Sequence, residues 1–183
     1  MSRNELSSIR TRALWAYELG RLRLGLRAAL FVIPMIGIAL LANQQREIPL
    51  IMGGLLLILA IGLLWRGETY GRAVMPGLLA GAAPLLLPLV LRAGGHCCVG
   101  GVCWSVCMLG CIGGGLVTGV VLGLASAAQP QQRWTFLGTA MLIAGVAGML
   151  GCVIVGAAGI LGMALALLVS SSTVALASRT AFK

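Results

Sequence analysis

The chain has 183 residues, 60% of them hydrophobic and 9% charged, with a mean hydropathy of +1.04; water-soluble domains carry about 25% charged residues. That composition excludes an ordinary soluble domain and, at about 20 apolar residues per crossing, leaves room for six membrane crossings with short loops and no second folded domain. The net charge of +9 comes with no nucleic-acid-binding motif, and its uneven distribution along the chain accounts for it without direct contact to nucleic acid.

Residues 1–23 form the one substantial polar segment. Ser2, Arg3, Asn4 and Glu5 have the form of a capping box, in which the Ser2 hydroxyl accepts from a first-turn amide and Glu5 reaches back. The segment is expected to be a short amphipathic basic helix. Arg10, Arg12, Arg21 and Arg23 alternate with Trp15, Tyr17, Leu14, Leu19 and Leu22. Such a helix rests on anionic headgroups at about 1 kcal/mol per basic side chain, or docks a cytoplasmic regulatory protein through Arg10, Arg12, Trp15, Arg21 and Arg23. Its arginine-rich lead is longer than that of a usual signal peptide. Leu40 and Ala42 ahead of Asn43 make a poor cleavage site, so the segment is expected to be retained.

Six spans follow, over about residues 24–42, 50–65, 73–91, 106–128, 134–152 and 159–178, with a tail at 179–183. The fold class is therefore an all-α polytopic bundle. Pro34 is expected to kink the first span. Pro49 suits the first turn of the second, and Trp65 reaches interface depth at its end. The third span holds Pro76, Pro84 and Pro88, so its hydrogen-bond ladder should be interrupted toward the cysteine loop. Residues 134–178 are almost uncharged and more than twice as long as one crossing needs, which implies a hairpin turning around residues 153–159.

Basic residues test the span count independently of hydropathy. Of the 13 Lys and Arg, Arg46 and Arg92 fall on one side, and all the others fall on the side of the two termini. The positive-inside rule then makes both termini cytoplasmic. The short chain, rich in Ala, Leu, Gly and Arg and without eukaryotic targeting motifs, suggests a bacterial inner membrane.

Cysteines carry the chemical signal. His96, Cys97, Cys98, Cys103, Cys107 and Cys111 lie in one stretch, and the alternation of spans puts the sixth cysteine, Cys152, on the same outward side. Residues 103, 107 and 111 recur every fourth position, which on a helix of about 3.6 residues per turn makes one slowly drifting stripe. Thiolates in this setting can take a soft metal ion such as Cu, Zn or Hg, with Cys103 and Cys107 closed by His96, Cys97 or Cys98. The spacing matches no usual zinc signature. Alternatively the even number of cysteines forms disulfides in an oxidising compartment. A Cys107–Cys111 bridge along one regular helix is geometrically awkward, whereas Cys152 is a plausible partner from the fifth span.

The packing alternative is that Cys107 and Cys111 are small hydrophobes continuing a seam through Gly115, Gly119 and Gly123. Gly77 and Gly81 form a second seam of that kind. Either could hold a neighbouring helix or a second subunit in a homo- or hetero-oligomer. Met108 and Met149 lie near the cysteines as soft donors, although methionine is more often core filler.

The chain has no Asp, and Glu5, Glu18, Glu47 and Glu68 are confined to terminal and loop segments, which disfavours coupled transport. One histidine without a nearby carboxylate and no CxxC leave no catalytic constellation, so no enzymatic activity is expected. The reading is a thiol-based metal or redox sensor acting on a cytoplasmic partner through its amino-terminal helix. In span count, orientation and cysteine side, the layout resembles that of the six-span membrane anti-sigma factors, which tether a sigma factor through a short amino-terminal segment. The resemblance covers layout only. A soft-metal uptake protein passing ions toward Met35, Met141 or Met163, and a structural subunit of a membrane complex, are the alternatives.

Overall fold

A computed structural model describes residues 3–42, 46–94, 103–129, 131–153 and 155–181. Six helices account for nearly all of them: α1 (Arg3–Ala42), α2 (Glu47–Arg66), α3 (Glu68–Ala93), α4 (Cys103–Ala127), α5 (Arg133–Cys152) and α6 (Ala157–Ala181). Each contains a stretch long and apolar enough to cross a membrane, from Glu18–Leu41 in α1 to Ala157–Ser178 in α6. The protein has the pattern of a multi-pass membrane protein.

The start of the chain departs from expectation. No separate amphipathic helix precedes the first span, because α1 runs without a break through 40 residues, a rod of about 60 Å. Leu, Arg and Ala dominate the junction and all favour helix, while Gly20 and Gly25 are isolated and cost about 1 kcal/mol each, too little to end it. Pro34 lies inside the helix rather than terminating it. The α2–α3 junction is tight: Gly67, at φ 75°, closes α2 with its amide bonded to Leu63 O and Leu64 O, a left-handed conformation that glycine adopts without strain. Gly156, at φ 89°, serves the α5–α6 turn in the same way.

Small residues decide which helices meet. A methyl group built on Gly115 would stand 2.5 Å from Met163 O, one on Gly119 would stand 2.7 Å from Leu167 O, and one on Gly123 would stand 3.2 Å from Ser171 O. Each step of four along α4 is thus matched by a step of four along α6, so these two helices run in the same direction with their backbones in contact. Gly77 and Gly81 bring α3 against Ala140 and Ala144 of α5 in the same parallel sense. These two pairings are the most extensive in the bundle, and α3 against α4 joins them. Gly110 and Gly114 lie on Pro88 and Pro84, so α3 and α4 run in opposite directions. Helices α1 and α2 form an outer layer, with Ile36 filling the space beside Gly53.

The radial pattern suits lipid. Ala28, Ala39, Ala60, Ala73, Ala140, Ala144 and Ala147 are buried, whereas Leu26, Leu30, Ile58, Leu79, Leu161 and Leu165 are exposed. In hydrocarbon, close backbone approach between small residues drives helix association, and large apolar side chains can face outward without penalty.

Of the three prolines in α3, Pro84 and Pro88 each leave a backbone carbonyl to which a neighbouring helix supplies a replacement donor. Pro84 has no N–H for Ala80 O; the Thr118 hydroxyl of α4 donates to that oxygen at 2.8 Å. Pro88 likewise cannot serve Pro84 O, to which the Cys152 thiol of α5 donates at 3.9 Å. The ladder is repaired at these two points from α4 and α5, and α3 stays helical throughout.

Candidate functional site: the cysteine end of the bundle

The ends of α3 and α5 and the starts of α4 and α6 converge at one end of the bundle. His96, Cys97 and Cys98 lie outside the described residues, and Cys103 opens α4 with its side chain outside the described set. Cys107, one turn further on, is half-buried and disulfide-bonded; its partner lies outside the described side chains. The stripe then changes character.

Cys111 and Cys152 are free thiols, each fully buried and packed in the same cluster. Cys152 comes from the last residue of α5 and reaches across to α4. Its sulfur lies 3.7 Å from Met163 Sδ of α6. Cys111, Cys152 and Met163 form a small core of their own, with Met149, Val155 and Ile160 packed around it. A glycine makes room for the thioether: a methyl on Gly148 would stand 2.5 Å from Met163 Sδ.

Of the seven expected metal or redox residues, Cys107, Cys111 and Cys152 have described side chains. Among the described residues, no three of His, Cys, Asp and Glu come together. One cysteine carries a disulfide, two form a buried reduced pair, and a thioether joins that pair. Met163 was legible only as a deeper soft donor; its approach to Cys152 follows from the way α6 folds back beside the end of α5. The Pro84 carbonyl had a sequence signal, the proline four residues later, but nothing in the sequence indicates which residue answers it.

At the opposite end, Arg133 begins α5 and is only 9% exposed, although its position suggested a loop charge. Its guanidinium donates to Ala175 O and Ser178 Oγ of α6, and its Nε to Ser126 Oγ of α4 at 3.4 Å. Three helices are tied there by one cation. Among the described residues no buried side-chain nitrogen or oxygen lacks a partner.

Of the residues expected to meet lipid headgroups or a partner, Arg12, Trp15 and Arg23 are exposed on α1, and the side chains of Arg10 and Arg21 lie outside the described set. Trp15 and Leu19 face Ile61, Leu64 and Trp65 of α2 across an open apolar cavity of about 430 Å³. No family model matches the chain, and neither a curated protein nor a solved structure matches it.

Proposed function

We propose that this protein is a thiol-based sensor of the bacterial inner membrane, with its cysteine end outside and both termini in the cytoplasm, and that it regulates a cytoplasmic protein through the first turns of α1. The observation that carries this reading is the coexistence, one helical turn apart, of a disulfide at Cys107 and the free thiols Cys111 and Cys152. Disulfides persist in oxidising compartments, and the positive-inside asymmetry puts the cysteine end in such a compartment. Buried thiols beside a more exposed disulfide form a graded arrangement. A thiol reductant opens the Cys107 bridge, supplying two electrons and two protons to give two thiols, and an oxidant takes them back to close it. The state of that bridge governs how the start of α4 packs.

The output end would be α1. About fifteen of its residues precede the stretch suited to the membrane, which at 1.5 Å each makes a rod of roughly 22 Å, with Arg12 and Trp15 exposed along it. Because the rod continues the first span without a joint, movement of that span is transmitted to it.

The test places a photo-crosslinking residue at Arg12 in the native host. Crosslinking to one cytoplasmic protein is expected to change when Cys107 is reduced, and Cys107→Ser should hold the reduced pattern whatever the oxidant. A pattern identical in oxidised, reduced and C107S cells would overturn the reading.

A further inference from the structure

We propose that Cys111, Cys152 and Met163 form a binding site for one monovalent soft cation of the Cu(I) class, buried among α4, α5 and α6. The site is separate from the disulfide at Cys107 and does not depend on the regulatory reading.

Three observations converge on it. The first is donor type: two thiols and a thioether meet in one cluster, and thiolate with thioether is the set that selects Cu(I) over harder ions. Zinc would require a tetrahedral set completed by thiolate, imidazole or carboxylate, and no third His, Cys, Asp or Glu joins the pair among the described residues.

The second is spacing. A three-coordinate ion with metal–sulfur bonds of about 2.3 Å holds its sulfurs about 4 Å apart. Cys152 Sγ and Met163 Sδ are already 3.7 Å apart, and Cys111 packs in the same buried cluster. The Cys152–Met163 pair therefore already has the separation that a shared ion requires, and Cys111 is the third sulfur of the same cluster.

The third is the enclosure. All three residues are 0% exposed, and the glycine at 148 leaves space where a side chain would crowd the Met163 sulfur. Loading replaces a thiol proton with the ion: Cys111–SH and M⁺ give Cys111–S–M and H⁺, so the dry site gains no net charge. Proton release makes binding weaken as pH falls.

Cys152 also donates to the Pro84 carbonyl, so its thiol could serve the fold alone. Serine separates the two roles, since it keeps the donor and loses the soft ligand.

The experiment titrates Ag(I), a redox-inert stand-in for Cu(I), into the full chain purified in detergent without reductant, so that the Cys107 bridge stays closed. Wild type, C111S, C152S and M163L are compared by metal stoichiometry and thermal shift. C111S and C152S are expected to bind one ion fewer than wild type. M163L, which conserves volume and is expected to fold normally, should retain the site with affinity weakened roughly tenfold or more. Unchanged stoichiometry in a folded C152S protein overturns the proposal. So does unchanged affinity in M163L, which would leave a two-thiolate site of the kind that suffices for Hg(II).

Discussion

Thr118 and Cys152 solve the same problem at two points on α3. Each proline removes one backbone donor, and in a bundle surrounded by lipid the orphaned carbonyl finds no water, so a side chain from the next helix must supply the bond. Thr118 does this at 2.8 Å, which makes it the better test. Thr118→Val keeps shape but leaves Ala80 O buried without a donor, and is expected to cost about 1–3 kcal/mol, whereas Thr118→Ser should cost much less. Reversible unfolding in mixed micelles reads the difference. Equal losses in the two variants would mean that methyl packing, and not the hydroxyl, matters at this position.

Among the elements, glycine position matters more than glycine number. Gly113 and Gly115 are two residues apart on α4, and only Gly115 belongs to the spacing-four seam; a methyl at 113 meets nothing within 4 Å, whereas one at 115 meets the Met163 carbonyl at 2.5 Å and Ala166 Cβ at 3.2 Å. Gly115→Ala must push α6 away and is expected to destabilise by about 1–3 kcal/mol. Gly113→Ala should be neutral or stabilise by up to about 1 kcal/mol through its better helix propensity. Comparing the two variants in the same unfolding assay separates backbone contact from intrinsic propensity. Similar responses would show that α4 and α6 do not pack closely in the membrane.

For the whole molecule, the alternation of six helices makes a statement about sides that can be checked in intact cells. A membrane-impermeant maleimide applied from outside, after mild reduction, is expected to label the thiol of Cys107, while Cys111 and Cys152, buried within the bundle, should resist until the protein is unfolded. A cysteine introduced at Arg12 should react only after the cells are opened. Reversal of that order would turn the bundle over and remove the oxidising compartment from the proposed mechanism.

Helix number and approximate extent were legible because the apolar runs are long and punctuated by short polar stretches such as 43–47 and 66–72, and hydrophobic length alone decides whether a segment can span a bilayer. The basic asymmetry is equally local, a matter of which loops carry arginine. The glycine seams were visible as patterns, but small residues at spacing four permit close approach without naming a partner, so the parallel pairs α4/α6 and α3/α5 emerge only from the fold. The same limit held at the cysteine end. Cys111 and Cys152 are separated by a whole hairpin in the chain, and only the packing of α4, α5 and α6 brings them into contact with Met163. Arg133, which reads as a loop charge in one dimension, is buried because three helices offer it carbonyl and hydroxyl acceptors at one point. Local hydropathy determined what lies in the membrane; non-local backbone contacts, available only once the helices pack, decided which sulfurs and which polar groups meet there.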